Sequence, residues 1–331
     1  MEHNEFKAFV VEERNGIFKG EVQARQINDL TDNDLLIRVR YSSLNYKDAL
    51  SAIGNKGVTK TYPHTPGIDA VGTVVSSKTD RFKTGDNVIV TSYDLGMNTD
   101  GGFGEFIRVP EGWAVKLPGK LSMKEAMIFG TAGLTAGMSV LRLIQNVKPA
   151  DGTIVVSGAT GGVGALSVAI LKKLGYKVAA ITGKETERNY LLNLGAETVV
   201  LRKEFESLAD RPLLKPMFAG GIDTVGGVIL ENIIKSTNPM GAVTCCGNVA
   251  SPNLSLTVFP FILRGVTLIG IDSQNYPMSY REEVWNKLAD DWKPEGLDAM
   301  CTEISLKELN AKIELMLKGQ LKGRTVLNLE S

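Results

Sequence analysis

A cluster of glycines in the middle of the chain could hold a phosphate group. The turn Ser157-Gly-Ala-Thr-Gly-Gly-Val-Gly164 follows the apolar run Thr153–Ser157 and precedes a segment with apolar residues at helical spacing. Glycines there let the backbone and the N-terminus of the next helix approach a pyrophosphate, whose charge the free amides and the helix dipole attract. This strand-turn-helix context predicts a dinucleotide site. The alternative is a structural turn that binds nothing.

The end of the next strand-like run, Lys177–Thr182, indicates which dinucleotide is bound. An NAD site usually has an acidic residue there for the ribose 2′-hydroxyl, whereas NADP needs positive charge and small donors for the 2′-phosphate. This chain has Thr182-Gly183-Lys184 and no acid before Glu185, with Arg188 and Arg202 further along. The pattern predicts NADPH; the alternative is a solvated lysine after a strand.

A polar quartet, Asn45-Tyr-Lys-Asp48, follows a strand-like run in the N-terminal part of the chain. Without a metal, an oxygen that gains negative charge must be stabilised by backbone amides, hydroxyls or side-chain amides. We therefore predict Asn45 and Tyr46 as catalytic residues, with Tyr46 or water as the proton source and Asp48 as an anchor of the segment. The alternative is a local turn in which Tyr46 packs on the cofactor and has no chemical role.

Histidine and cysteine are scarce. The two histidines are His3 and His64, and Cys245, Cys246 and Cys301 lack the spacing of a zinc site or a disulfide framework. We expect no metal and predict that the adjacent cysteines are small buried hydrophobic residues.

The order of the predicted elements divides the chain into three segments. Residues 1–122 contain short β runs broken by glycine and proline, which predicts a barrel-like β domain. The capping box Ser122-Met-Lys-Glu125 opens a long helix, and from Thr153 to Asp272 strands alternate with helices, which predicts a doubly wound parallel sheet. We expect a nucleotide-binding domain over 123–272 and a C-terminal return to the first domain over 273–331. The strands predicted in the first segment are Lys7–Glu12, Leu35–Tyr41, Ala70–Ser76, Asn87–Ser92 and Phe106–Pro110.

The charge of the chain excludes several classes of partner. Lys+Arg and Asp+Glu number 37 each, so no overall field attracts nucleic acid or an acidic membrane. The N-terminus has no basic segment followed by an apolar core, and no apolar run approaches membrane-spanning length. We expect a cytoplasmic protein that acts on a small molecule.

Over essentially its whole length the chain resembles the medium-chain dehydrogenase/reductase superfamily. Within it, the sequence is similar to the acryloyl-CoA reductase branch of zinc-free, quinone oxidoreductase-like proteins. The resemblance implies an α/β fold with an N-terminal GroES-like β-barrel domain and a Rossmann domain, NADPH as cofactor, and a homodimer. The motifs that carry it are the glycine turn, Asn45-Tyr-Lys-Asp48, Pro66-Gly-Ile-Asp69, Gly130-Thr-Ala-Gly133, Pro260-Phe-Ile-Leu-Arg264 and Gly270-Ile-Asp-Ser273.

Position by position, the resemblance also implies a set of cofactor contacts. Lysine at position 184, where the branch often has arginine, keeps the charge but loses the bidentate fork, so weaker NADPH selectivity is expected. The implied contacts are Tyr46, Thr160, Gly161, Gly162, Val163, Thr182, Gly183, Lys184 and Arg202, with Asn248, Ile262 and Ser273 on the nicotinamide side.

The reaction that the resemblance implies is hydride transfer from NADPH to the β-carbon of an alkene conjugated to a carbonyl, such as acryloyl-CoA. Quinone reduction is an alternative from the same chemistry, and a non-enzymatic NADPH-binding protein of the crystallin type is one from another class. The phosphates of a CoA thioester would need basic residues. Arg264, Arg281, Lys322 and Arg324 are available, although any of them could be ordinary solvated charge.

Overall fold

The structure, a computed structural model, describes residues 4–208 and 211–330. His3 lies outside the described residues. The chain forms two compact units. The β-rich unit comprises residues up to 131 together with 274–289 and 296 onward, and the parallel-sheet unit comprises 132–273 and 290–295. The domain boundaries predicted above stay predictions.

The strands and helices follow one another along the chain in three stretches. The first stretch contains β1 (Glu5–Arg14), β2 (Ile17–Gln26), β3 (Leu35–Ser43), α1 (Tyr46–Ala52), β4 (Asp69–Ser77), β5 (Asn87–Thr91), β6 (Phe106–Val109), β7 (Ala114–Lys116) and α2 (Met123–Leu143). The second contains β8 (Ile154–Val156), α3 (Gly162–Lys173), β9 (Val178–Thr182), α4 (Arg188–Asn193), β10 (Thr198–Leu201), α5 (Arg202–Glu206), β11 (Phe218–Asp223), α6 (Gly227–Lys235), β12 (Thr237–Cys245), α7 (Phe259–Arg264) and β13 (Thr267–Gly270). The last contains α8 (Met278–Ala289), β14 (Cys301–Ile304), α9 (Leu309–Leu317) and β15 (Arg324–Asn328). Short 3-10 helices cover Ile27–Asp29, Glu111–Trp113, Pro149–Asp151, Glu185–Glu187, Leu297–Met300 and Leu306–Glu308.

The β-rich unit is built on a mixed sheet in the order β14-β15-β3-β4-β5-β7, with β6 also paired to β3. Strands β1 and β2 form a separate antiparallel hairpin. Every pair in the larger sheet is antiparallel except β14 with β15. Its buried core contains Phe9, Phe82 and Phe103, together with Leu309 and Leu327 from the C-terminal part of the chain. The C-terminal return therefore completes the sheet and core of this unit.

The parallel-sheet unit contains six strands in the order β10-β9-β8-β11-β12-β13, all parallel. The order reverses between β8 and β11, which is the topology of a doubly wound Rossmann fold.

Helix α2 begins with the predicted capping box. The Ser122 amide donates to Glu125 Oε2 (2.8 Å), and the Glu125 amide donates to Ser122 Oγ (3.2 Å). Gly130, at φ 51 and ψ −154, kinks the helix. Contrary to the sequence expectation, α2 is long and apolar enough to cross a membrane by length and composition alone, but 89% of its apolar window is buried inside the protein. Such burial is typical of a core helix.

Candidate active site

Four strand ends meet at one edge of the β-rich unit's sheet. Strand β3 ends at Ser43, β4 begins at Asp69, β5 ends at Thr91 and β15 begins at Arg324. Because β4 and β15 run antiparallel to β3, and β5 antiparallel to β4, these ends lie at the same edge. The predicted catalytic segment leaves β3 at this edge, since Asn45 follows it and Tyr46 begins α1.

The fully buried carboxylate of Asp69 is the centre of a polar network. Its Oδ2 accepts hydrogen bonds from Ser43 Oγ (2.6 Å) and Asn45 Nδ2 (2.7 Å). Its Oδ1 accepts from the Thr131 amide (2.9 Å) and from Thr131 Oγ1 (2.6 Å). Charge-assisted bonds of this kind are strong and fix the groups that donate them. Asp69 therefore holds both Asn45 and the residue after the Gly130 kink.

Arg324 supplies the positive charge of the network. Its Nη2 lies 3.7 Å from Asp69 Oδ2 and donates to Ser43 Oγ (2.8 Å). Its Nε donates to the Ile128 carbonyl (2.9 Å). Burial lowers the pKa of the guanidinium, although the charge of Asp69 opposes this. The buried guanidinium of Arg324 therefore compensates the charge of the buried Asp69 carboxylate, and it is not a solvated surface charge.

The side-chain amide of Asn45 is held by bonds within this network. Its Nδ2 donates to the Ser43 carbonyl (3.1 Å) and to Asp69 Oδ2 (2.7 Å), and its Oδ1 accepts from Arg324 Nη1 (3.2 Å). An amide nitrogen has only two hydrogens. Both are therefore used inside the protein, and neither remains for an oxygen of a substrate.

Asp48 anchors the start of α1, as expected. Its Oδ2 accepts from the Asn45 amide (2.7 Å), and its Oδ1 accepts from the Ile68 amide (2.8 Å). Complete burial, and then the nearby charge of Asp69, raise the pKa of Asp48 to about 7. The carboxyl ties the segment after β3 to the segment before β4.

Tyr46 differs from its neighbours because its side chain is 45% exposed. No group in residues 4–208 and 211–330 makes a hydrogen bond to its hydroxyl. The ring stands at the first position of α1, directly after the fixed Asn45. It is therefore available to a ligand.

In the parallel-sheet unit the glycine turn joins β8 to α3. Gly158 adopts φ 57, and a Cβ added there would lie 2.3 Å from Thr224 Oγ1. A Cβ added at Gly164 would lie 2.4 Å from the Gly158 carbonyl oxygen, so larger residues fit at neither position. The predicted phosphate residues occupy the turn and the first turn of α3: Thr160, Gly161, Gly162 and Val163.

The sequence analysis did not predict a set of hydrogen bonds around Ser157 and Asp223, at the point where the strand order reverses. We call this set the brace. Ser157 Oγ, after β8, donates to Asp223 Oδ1 (2.7 Å) at the end of β11. The Thr224 amide donates to Ser157 Oγ (2.9 Å), and the Gly226 amide donates to Asp223 Oδ2 (2.8 Å). Burial raises the pKa of Asp223. The only sequence signal was an acid at the end of an apolar run.

The residues predicted to select the cofactor lie together after β9 and β10. Leu201 pairs with Thr182, so Arg202 and Gly183 leave neighbouring strands side by side. A Cβ added at Gly183 would lie 3.5 Å from Arg202 Cζ. The Lys184 amide donates to Thr182 Oγ1 (3.0 Å). Lys184 and Arg202 thus follow the ends of two neighbouring strands, β9 and β10.

The three nicotinamide-side predictions lie elsewhere in the same unit. Asn248 is exposed, and its Cα lies 3.3 Å from where a Cβ of Gly226 would be, so it is close to the brace. Ile262 is on α7 and is 68% exposed. Ser273 is half-buried and is the last residue before the chain re-enters the β-rich unit.

Three of the four basic residues considered for CoA phosphates are bonded internally. Arg264 donates to the carbonyls of Lys235 (2.9 Å) and Leu214 (2.6 Å). Arg281 is buried and donates to the carbonyls of Thr91 and Gln274, and Arg324 belongs to the Asp69 network. These arginines are not solvated charges, which corrects that expectation. Lys322 is exposed.

Neither histidine-centred nor metal chemistry is evident in the described ranges 4–208 and 211–330. No three His, Cys, Asp or Glu side chains there form a group that could hold a metal ion. His64 is buried, with its Nε2 2.9 Å from the Gly96 carbonyl, and burial lowers the pKa of its imidazole. Its position is that of a structural residue.

Comparison with known proteins is consistent with this geometry. Residues 31–119 match the family model "Alcohol dehydrogenase GroES-like domain", and residues 162–290 match "Zinc-binding dehydrogenase". Two relatives are each 41% identical to the chain: "Probable acrylyl-CoA reductase AcuI" of Escherichia coli, over 97% of this chain and 99% of the relative, and "Putative quinone oxidoreductase YhfP" of Bacillus subtilis, over 98% and 99%. The chain belongs to the medium-chain dehydrogenase/reductase superfamily.

Solved structures place this medium-chain reductase among nucleotide-bound relatives. The E. coli YhdH structure with bound NADPH has a TM-score of 0.94 and 41% identity, covering 97% of this chain and 99% of its own. The B. subtilis yhfP structure with NAD bound has a TM-score of 0.96 and 41% identity, covering 98% and 100%. The predicted family is confirmed, and with it the assignment as an oxidoreductase. The predicted fold class, a GroES-like domain and a Rossmann domain in an α/β chain, is confirmed as well.

Proposed function

We propose that this medium-chain reductase transfers a hydride from NADPH to an alkene conjugated to a carbonyl, converting acryloyl-CoA to propionyl-CoA. The observation that carries the proposal is the glycine turn at the strand-order reversal with Lys184 and Arg202 beside it, in a chain 41% identical to an acrylyl-CoA reductase. NADPH:quinone oxidoreduction is the second candidate, because the equally similar B. subtilis relative is named for that activity.

The residues present fit a dinucleotide. The turn around Gly158 and Gly164 packs so closely on Thr224 and on its own backbone that no Cβ fits at those positions. The 12-residue α3 begins directly after this turn, and the free amides of a helix N-terminus bind phosphate. Thr160, Gly161, Gly162 and Val163 would hold the pyrophosphate. Asn248, Ile262 and Ser273 would lie toward the nicotinamide. Bound NADPH supplies the hydride.

Lys184 and Arg202 would bind the 2′-phosphate, with Thr182 and Gly183 shaping the strand end. The absence of an acid at the end of β9 favours a phosphate over a free ribose hydroxyl. The solved structure of the B. subtilis relative has NAD bound.

The β-rich unit would contribute the groups that act on the substrate. Asn45 serves as a positioning residue, since both hydrogens of its amide are donated to Ser43 and Asp69. Its own fixed backbone sets the direction of Tyr46, whose free hydroxyl can donate a hydrogen bond or a proton, or whose ring can cover the cofactor. The α-carbon would receive its proton from Tyr46 or from water.

The active form would be a cytoplasmic homodimer formed along the parallel sheet. Strand β13 is an edge strand with one pairing side unused in the described sheet. Large apolar side chains are exposed on α7 and on the neighbouring strand β12: Ile262 (68%), Leu263 (63%) and Met240 (75%). Exposed apolar surface next to a free edge is typical of an interface.

The decisive experiment is NADPH oxidation by the purified protein with acryloyl-CoA, a simple quinone, and NADH as the control donor. Fast, NADPH-dependent turnover of the thioester is expected. Turnover of the quinone alone would transfer the assignment to the second candidate. Tight NADPH binding with no turnover of either would instead indicate a non-enzymatic NADPH-binding protein.

A further inference from the structure

A strained pair of residues follows β5 at the edge where the catalytic segment lies. Ser92 has φ 62 and Tyr93 has φ 51, and both are left-handed conformations that non-glycine residues rarely adopt. Such strain persists only when the surroundings enforce it, and it concentrates at functional sites. The Ser92 amide donates to the Ile68 carbonyl (2.8 Å), directly before Asp69.

The ring of Tyr93 is held on two sides. It stacks on Trp113 with the ring planes 7° apart and the centroids 5.7 Å apart. The guanidinium carbon of Arg281 lies 4.2 Å from the ring centroid. Arg281 is itself fixed, because it is buried and donates to the carbonyls of Thr91 (3.1 Å) and Gln274 (2.8 Å). The ring therefore has little freedom to rotate.

Two separate chains of contacts connect this tyrosine to the catalytic segment. In the first, Ser92 Oγ lies 2.9 Å from Thr131 Oγ1, and Thr131 bonds the same Asp69 carboxylate as Asn45. In the second, Lys47 Nζ donates to Gln274 Oε1 (2.5 Å), and the Gln274 carbonyl accepts from Arg281. The segment from 45 to 47 and Tyr93 are thus parts of one rigid assembly.

The hydroxyl of Tyr93 takes no part in the contacts that hold its ring. The side chain is half-buried, yet no hydrogen bond to its hydroxyl is present in the part of the chain that the structure describes. The amide hydrogens of Asn45, the first candidate donor, are already used. A rigid phenol at the same edge would supply a preorganised donor in its place.

We propose that Tyr93 is a catalytic residue that donates a hydrogen bond to the carbonyl oxygen of the substrate. The proposal rests on the proposed function. Hydride addition at the β-carbon moves an electron pair of the alkene onto that oxygen, and the Tyr93 O–H stabilises the resulting enolate without giving up its proton. A proton from Tyr46 or water then reaches the α-carbon, and the carbonyl is restored.

The test is Tyr93→Phe, which keeps the ring between Trp113 and Arg281 and removes only the hydroxyl. With acryloyl-CoA, kcat should fall about 10- to 100-fold, the loss typical of one oxyanion donor or somewhat less. The Kd for NADPH and the Tm should stay unchanged. Tyr280→Phe is the matched control, because Tyr280 is an exposed tyrosine of the same unit. It should behave like wild type.

Tyr93→Leu separates chemistry from packing, since it also removes the ring. It should lower both the Tm and kcat, whereas Tyr93→Phe lowers kcat alone. If Tyr93→Phe keeps kcat within about twofold of wild type, the residue only packs and the inference is overturned, whatever Tyr93→Leu does. If wild type itself does not reduce acryloyl-CoA, the proposed function fails first and the inference falls with it.

Discussion

At the scale of single residues, polar side chains of the candidate site divide into those that are held and those that are free. Asn45, Asp69 and Arg324 use their polar atoms on one another and on the backbone. Tyr46 and Tyr93 have hydroxyl groups that no hydrogen bond in the described ranges occupies. The buried polar residues therefore set positions, and the two phenols are left to act on a ligand.

Lys184 is expected to set the cofactor preference. Lys184→Ala should raise the Kd for NADPH about 10- to 100-fold, since a hydrogen bond to a charged group contributes about 1.5–3 kcal/mol. The Kd for NADH should change little, and both constants can be measured by nucleotide fluorescence. Lys177→Ala is the control, because Lys177 is an exposed lysine just before the opposite end of the same strand. Equal losses for both nucleotides would contradict the 2′-phosphate assignment.

Tyr46→Phe tests whether the first tyrosine has a chemical role. If Tyr46 supplies the proton, kcat should fall about 10- to 100-fold or more while the Kd for NADPH changes only modestly. Steady-state kinetics with acryloyl-CoA measure the first quantity, and Tyr41→Phe provides a comparison on β3. Unchanged turnover would mean that Tyr46 only packs on the cofactor and that water supplies the proton.

The buried Asp48 should make the stability of the protein depend on pH. Its pKa is about 7 in the folded protein and about 3.9 in an unfolded chain. The folded state therefore keeps a proton that the unfolded state has lost, and the free energy of unfolding falls as the pH rises from about 4 to about 7. Asp48→Asn cannot titrate, so its destabilisation relative to wild type should be larger at about pH 5 than at about pH 8. Denaturant titrations at the two pH values measure this difference. A difference that is constant with pH would show that Asp48 is ionised throughout.

At the scale of elements, the sequence patterns were most reliable where one strand or turn is bounded by strong local signals. The predicted strands from Leu35, Asn87 and Phe106 are confirmed to within one or two residues, as is the capped start of α2. Strand β2 was missed although its residues from Phe18 to Arg25 alternate between apolar or glycine and polar; most of its side chains are exposed, so it adds little to the buried core. Short β14 was missed as well.

The site could be predicted only as far as its local motifs reach. The glycine turn and the segment from Asn45 to Asp48 are stabilised by contacts between residues close together in the sequence. Their local sequence therefore predicts their structure. The partners of Asp69 are distant in sequence, and nothing in the neighbourhood of Thr131 or Arg324 marks them as its ligands. The hydrogen bonds of the Asn45 side chain could not be predicted for the same reason. They are made to Ser43, Asp69 and Arg324, which lie in three separate parts of the chain.

The turn between β8 and α3 should tolerate no side chain that keeps the pyrophosphate away. Gly162→Val is expected to abolish detectable NADPH binding, because Gly162 is the first residue of α3 and a side chain there would keep the pyrophosphate from the helix N-terminus. Gly119→Val, at an exposed turn with nothing within 4 Å of the added Cβ, is the control. Titration calorimetry is the measurement. An unaltered Kd in Gly162→Val would remove the nucleotide site from this turn.

At the scale of the whole molecule, the arrangement of the units along the chain matters for assembly. The parallel sheet is formed by one continuous run of the chain from β8 to β13, whereas the sheet of the β-rich unit needs strands from both sides of that run. The exposed apolar residues near β13 thus belong to the unit whose sheet is continuous in sequence. This is consistent with association of two copies through that unit.

Leu263→Asp should prevent dimer formation by placing a charge in the exposed apolar surface of α7. Sedimentation or size-exclusion chromatography at micromolar concentration should give a dimer for wild type and a monomer for the variant. Ile17→Asp serves as a control, because Ile17 is equally exposed but lies in the β-rich unit. A monomeric wild type would contradict the homodimer directly.

The ion pair between Asp69 and Arg324 has a consequence for the order in which the protein matures on the ribosome. Asp69 is translated before the whole parallel-sheet unit, and Arg324 is translated after its last strand. During synthesis the Asp69 carboxylate stays in contact with water until Arg324 has been made, because burial of a carboxylate without its counter-charge is costly in free energy. The parallel-sheet unit can therefore fold first, and the β-rich unit can bury Asp69 only after Arg324 has been synthesised.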